Sequence, residues 1–138
     1  MPDFQNRRLV VVSNRLPIVL KEDDGHWSMQ KGSGGLVTAL TPILKNRGGL
    51  WVGWTGTTET LPIRQIKKIL GPFSKASGFR LLPVFLSEEE RDLFYYGLSN
   101  EVIWPLFHDL QTRCNFDPRY WDAYMAVNRK YARTVQRQ

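Results

Sequence analysis

The run Leu9-Val10-Val11-Val12-Ser13-Asn14-Arg15, followed after an interval by Gly32-Ser33-Gly34-Gly35-Leu36, decides how this 138-residue chain is read. Four aliphatic residues in succession, without polar alternation, predict a strand covered on both faces, as at the centre of a parallel sheet. The polar triplet ends that strand and the glycine turn opens a helix. In open α/β sheets ligands gather outside the carboxyl ends of the strands, and backbone N–H groups at a helix start suit an anion. Arg15 stands beside them as a fixed cation.

Working outward, residues 16–21 and 27–30 read as two extended runs around Asp24-Gly25, a strong hairpin signal, so a β-hairpin excursion separates the first strand from its helix. Leu36, Leu40, Ile43 and Leu44 have helical spacing, which predicts a helix over 33–46 with Ser33 as N-cap and a kink or split at Pro42. A second strand follows at 50–54. Ile63, Ile66, Ile69 and Leu70 predict a short amphipathic helix over 61–70, stopped by Gly71-Pro72. Residues 79–86 read as a third strand, with Pro83 requiring an edge or strand-end position. Ser87 with Glu90 three residues on is a capping box and predicts a helix over 88–96. A second short helix, over 100–107, is expected to break at Pro105. Asp117-Pro118 then starts the longest helix. The order implies an α/β layered domain, and three main strands are fewer than a doubly wound sheet normally has. The expectation is a sheet that is incomplete within this chain, whose unpaired edge would favour self-association or domain swapping.

Length and composition fit one domain with a real core, 42% hydrophobic and 23% charged. No apolar run approaches the ~18 residues that span a membrane, and the polar start lacks the layout of a secretory signal, so a cytoplasmic location and no membrane partner are expected. The single cysteine, Cys114, excludes an internal disulfide. The net charge of +6 draws on Arg7, Arg8, Arg129, Lys130, Arg133 and Arg137. Spaced singly along a helix, such residues form a solvated face, and nucleic acid is not an expected partner. Phosphorylated small molecules remain open.

Three sets of residues carry chemistry: Ser13-Asn14-Arg15 with the glycine turn; Trp51 and Trp54; and Tyr95, Tyr96, Asn100, Trp104 and His108. The turn matches neither the dinucleotide fingerprint nor the P-loop, and Gly34-Gly35 could equally serve close helix-to-strand packing. Residues three apart on a strand face opposite sides, so only one tryptophan points into the space at the strand end, and Trp54 is the better placed. The tyrosines and Trp104 suit either a core or a sugar-binding face. His26 and His108 have no metal-ligand partner at short spacing, and no metal is expected.

Taken in order, Val-Val-Ser-Asn-Arg-Leu-Pro (11–17), Gly-Gly-Leu-Val-Thr-Ala-Leu (34–40), Trp-Val-Gly-Trp-Thr-Gly (51–56), Tyr-Gly-Leu-Ser-Asn (96–100), Trp-Pro-Leu-Phe-His (104–108) and Trp-Asp-Ala-Tyr (121–124) resemble the N-terminal part of the trehalose-6-phosphate synthase family over nearly the whole chain. The resemblance implies a retaining glycosyltransferase of the two-Rossmann-domain (GT-B) architecture that moves glucose from UDP-glucose to glucose 6-phosphate, without a cofactor. Residues 1–138 would be a partial, Rossmann-like N-terminal acceptor-binding domain, with the C-terminal nucleotide-sugar domain absent. By motif, Arg15 becomes a ligand of the acceptor phosphate, Trp54 a neighbour of the acceptor sugar, and Trp104 a further wall of its pocket. Aligning on Ser99-Asn100 makes Tyr95 the acceptor-binding tyrosine and puts Tyr96 where the family usually has asparagine. Gly34 and Gly35 match glycines that approach the donor's diphosphate. No catalytic residue is assigned, because the family's histidine-bearing strand and its diphosphate-binding Arg and Lys would follow Gln138. The chain is therefore expected to be inactive alone. The alternatives are half of a glucosylglycerol-phosphate synthase and a non-catalytic sugar-phosphate-binding module.

Overall fold

A computed structural model describes residues 7–138. The chain forms two compact units, the first ending at Phe85 and the second running from Leu86 to Gln138.

The first unit contains β1 (Val10–Arg15), β2 (Ile18–Asp23), β3 (His26–Lys31), α1 (Gly35–Arg47), β4 (Leu50–Trp54), α2 (Ile63–Ser77) and β5 (Arg80–Val84). β1, β4 and β5 make a parallel sheet in that spatial order, and β2 pairs with β3 as an antiparallel ribbon. Asp24 and Gly25 both take positive φ at its tip, 48° and 78°, as a two-residue turn matched to strand twist requires. The core gathers Trp51, Phe79, Leu44, Ile66, Leu70 and Leu81 with Leu16, Ile18 and Leu20. Phe73 meets Phe79 edge-on at 5.7 Å.

Four expectations are corrected in the first unit. The strand covered on both faces is β4, all five of whose residues are buried, whereas β1 pairs on one side only among the described residues and leaves Val12 51% exposed. An unalternating apolar run reports how much surface a strand can hide, not which neighbours hide it. Ser33 is not the cap of α1; Gly34 holds that position and supplies no side chain, and the helix is not split at Pro42. Gly71-Pro72 does not end α2, which runs on to Ser77 and stops at left-handed Gly78. The apolar face explains this, because Ile66, Leu70, Phe73 and Ser77 continue with helical spacing through the proline and stay packed. β5 lies at a sheet edge, where Pro83 is tolerated.

The second unit contains α3 (Glu88–Arg91), a π-helical stretch (Asp92–Ile103), α4 (Trp104–Phe107), a 3-10 turn (Gln111–Arg113) and α5 (Pro118–Gln136). Ser87 and Glu90 form both halves of the capping box, and Asp117 accepts the Arg119 N–H at 2.9 Å to start α5. The two separate short helices expected over 88–107 are instead one continuous helical run. Pro105 is tolerated because the Glu101 carbonyl, four residues earlier, accepts the Asn115 N–H at 3.0 Å instead. α5 is tied back to the start of α3 by Lys130 Nζ on Glu90 Oε2 at 2.6 Å. Among the described residues no helix is long and apolar enough to cross a membrane.

Candidate functional site

β1 and β4 run in register from Val10 opposite Leu50 to Val12 opposite Val52, and then Arg15 stands opposite Trp54. β1 therefore holds one residue more than β4 over this interval, a bulge at the carboxyl end of the sheet. Strict alternation would place Arg15 on the side of Val11 and Ser13, the face that Trp51 occupies. The extra residue turns it to the face of Trp54. Its guanidinium lies 5.2 Å from the centroid of the Trp54 ring, and Arg15 is exposed while Trp54 is 3% exposed. The Trp54 indole N–H donates to the Thr57 carbonyl at 2.8 Å. Trp54 is thus packed beneath Arg15, and the arginine lies at the surface above it.

On the opposite face the indole N–H of Trp51, a residue with no exposed surface, donates to Ser13 Oγ at 2.8 Å, and Ser13 Oγ donates to the Arg15 carbonyl. Gly53 completes the arrangement. A Cβ there would lie 2.7 Å from the Arg15 carbonyl carbon and the Leu16 nitrogen, so β1 crosses β4 at backbone contact. From the sequence Trp54 is preferred over Trp51 at the strand end, and Ser13 and Gly53 have no individual role. No local signal marks them, since each acts across strands far apart in sequence.

The glycine turn resolves one alternative left open by the sequence. A Cβ on Gly34 or Gly35 would meet nothing within 4 Å, so close packing does not explain these glycines. Gly34 instead has φ of 128°, a conformation side chains rarely adopt. The close approach belongs to Gly32, where a Cβ would come within 2.9 Å of the Pro17 carbonyl. α1 begins without a side-chain cap and without an acidic residue in its first turn.

In the second unit Tyr95 is half-buried and meets Tyr96 edge-on at 5.2 Å, while Arg91 lies 5.6 Å from the Tyr96 ring centroid. Both tyrosines lie on the π-helical stretch, a winding common at functional sites. Ser99 Oγ donates to the Phe94 carbonyl five residues back at 2.9 Å, and Gly97 leaves room for Tyr120, whose ring would stand 2.6 Å from a Cβ there. Trp104 is 52% exposed and stacks on His108 at 3.9 Å. Hydrogen bonds from Tyr120 and Asn115 hold the Glu101 carboxyl below the usual carboxylate range, and the bond to Glu101 raises the Tyr120 hydroxyl above its ordinary value. The recess between α3 and α5 is lined by Glu89, Glu90 and Asp122 with Arg119, and its carboxylates make it a poor phosphate site. Among the described residues no three His, Cys, Asp or Glu side chains gather as a metal site.

A parallel sheet with helical crossovers, with an arginine raised over a tryptophan at the strands' carboxyl ends, defines an α/β domain of the open-sheet class. The chain belongs to glycosyltransferase family 20, whose profile matches residues 7–138. It is 40% identical over 129 residues to a trehalose-6-phosphate synthase of Mycobacterium sp. (strain JLS), covering 93% of this chain and 25% of that protein. A UDP-forming alpha,alpha-trehalose-phosphate synthase from Burkholderia xenovorans, solved in complex with glucose-6-phosphate, superposes with a TM-score of 0.64 at 25% identity, covering 94% of this chain and 25% of that one. An E. coli structure bound with UDP-2-fluoro glucose superposes with a TM-score of 0.66 at 29% identity, again over 94% and 25%. The chain spans about a quarter of the length of these relatives.

Proposed function

We propose that this chain is the N-terminal, acceptor-side part of a UDP-forming alpha,alpha-trehalose-phosphate synthase, in which the whole protein transfers glucose from UDP-glucose to glucose 6-phosphate. The observation that carries the reading is Arg15, turned by a bulge out of strand alternation and set over Trp54 at the carboxyl end of the sheet. A guanidinium fork matches two phosphate oxygens, and the ring beneath fixes its plane. Arg15 is assigned the acceptor phosphate, with Trp54 as its support. In the second unit, acceptor contact is assigned to Tyr95 and Trp104. Gly34 and Gly35, whose front is open and whose helix has no side-chain cap, are assigned to the donor's diphosphate.

The spatial order β5-β4-β1 has the sense 3-2-1 of one half of a doubly wound sheet. In the full-length protein a further parallel strand is proposed to pair with the outer side of β1, in a Rossmann-like domain of GT-B architecture. The β2–β3 ribbon is an excursion between β1 and α1. Charge stabilisation of the leaving diphosphate is assigned to parts of the full-length protein outside these residues, so this chain alone is inactive. Release of UDP by the purified chain with both substrates would refute that statement.

Titration of the chain with glucose 6-phosphate, followed by backbone and indole NMR signals, tests the acceptor assignment. Saturable shifts at Arg15 and Trp54 are expected, with Arg15→Ala weakening binding by about 10- to 100-fold, as for hydrogen bonds between charged partners. A folded chain that shows no shift refutes the assignment. Preference for glycerol 3-phosphate would move the reading to the smaller acceptor of a glucosylglycerol-phosphate synthase.

A further inference from the structure

We infer that Ser13 and Trp51 are positioning residues for Arg15, acting through the strand-end bulge. The inference rests on the reading of Arg15 as the phosphate ligand. Three observations carry it. The bulge alone decides which face Arg15 occupies, because alternation from Val12 would give the place opposite Trp54 to Asn14 and send Arg15 to the other side. The extra residue lies between Val12 and Arg15, and within that interval Ser13 Oγ makes two bonds of opposite sense. It accepts the Trp51 indole N–H at 2.8 Å and donates to the carbonyl of Arg15 itself. Trp51 is anchored in turn, since the ring is fully buried beside Phe79, 6.3 Å between centroids, and belongs to the core of the first unit.

The physical consequence is a rigid link from core to ligand group. A bulge is a local disruption of the ladder, and without a side-chain tie its backbone can relax into regular pairing. Regular pairing here would be a one-residue slip, which moves the side chain to the opposite face of the sheet. The indole N–H needs an acceptor in its buried surroundings, and the Ser13 Oγ that supplies it gives its own proton to the Arg15 carbonyl at the end of the bulged segment. The core therefore favours the arrangement in which the guanidinium stands over Trp54. Ser13 and Trp51 are given no part in binding the ligand group. They act by holding the backbone that carries Arg15.

Ser13→Ala, Ser13→Thr and Trp51→Phe test this in the 138-residue chain. Trp51→Phe retains an aromatic ring in the core while removing the donor, and so serves where Ser13→Ala disturbs folding. The first readout is the Arg15 Nε–H NMR signal, which the Trp54 ring current shifts at the observed separation of 5.2 Å. Ser13→Ala and Trp51→Phe are expected to move it toward the position of an unstacked arginine, and Ser13→Thr to restore it. The second readout is the Kd for glucose 6-phosphate, expected to rise about tenfold in Ser13→Ala, the equivalent of one hydrogen bond. In an Arg15→Ala background the same change should have almost no further effect, the signature of coupling through Arg15. Folded variants whose Arg15 signal stays in place overturn the inference, as does an equal loss of affinity with and without Arg15. Should the unsubstituted chain not bind glucose 6-phosphate while the variants still displace the Arg15 signal, the acceptor reading fails and the positioning role stands.

Discussion

β1 and β4 are adjacent parallel strands that both open on apolar residues, and the structure treats them oppositely. β4 keeps strict alternation, lies between two partners, and buries all five residues. β1 has one partner among the described residues, exposes Val12 by 51%, and breaks its own register before Arg15. The regular strand carries stability. The irregular one carries Arg15, the charged group to which the acceptor phosphate is assigned in the proposal, and its register shift takes that side chain out of the place alternation would give it. Deviation from the repeat, more than the repeat itself, marks the place to look for chemistry.

The largest effect expected from this contrast is on folding, and it belongs to β4. Trp51→Ala removes a fully buried ring from the core of the first unit and should destabilise the chain by about 3–5 kcal/mol, in the range for buried aromatic truncations. Arg15→Ala, at an exposed position, should change stability by no more than about 0.5 kcal/mol while abolishing most affinity for the phosphate. Urea unfolding of both variants checks the pair. Comparable destabilisation by the two would break the division of labour between the strands.

A middling effect is expected where the strands touch. Gly53→Ala places a methyl group 2.7 Å from the backbone of Arg15 and Leu16, and main-chain atoms cannot swing aside as a flexible side chain can. β1 must move or separate from β4, at about 1–3 kcal/mol by analogy with overpacked cores. The displaced segment carries Arg15. Stability and glucose 6-phosphate affinity should therefore fall together in Gly53→Ala, whereas they separate in Arg15→Ala. Loss of stability with affinity intact would show that the crossing does not fix Arg15.

Local signals were legible in the sequence. Ser87 with Glu90, and Asp117 with Pro118, start their helices as read, because a cap is settled within one turn. The α/β class also follows from strand segments alternating with helical patterns. What sequence does not show is anything decided by a distant partner. The central place of β4 depends on which strands pair, and α2 passes through Gly71-Pro72 because Phe73 and Ser77 remain packed. The π-helical winding over Asp92–Ile103 has no pattern of its own in the sequence. At the candidate site the motifs pointed to Arg15 and Trp54, but not to the bulge that joins them. That bulge rests on a hydrogen bond between residues 38 positions apart.

The smallest expected effect gives the sharpest test of the edge assignment. Val12 and Val52 face each other in the ladder, one 51% exposed and the other fully buried. Val12→Lys should change the stability of this chain by no more than about 0.5 kcal/mol, since the ammonium remains in water. Val52→Lys should prevent folding, because it buries an unpaired charge at the centre of the sheet. Lysine also blunts an open sheet edge against pairing with another chain. If the isolated chain self-associates along β1, sedimentation should show Val12→Lys to be the more monomeric form at unchanged stability. A Val12→Lys chain destabilised by several kcal/mol would mean that this face is covered after all. The two strands would then be equivalent, and the reason for placing the ligand group on β1 would rest on the bulge alone.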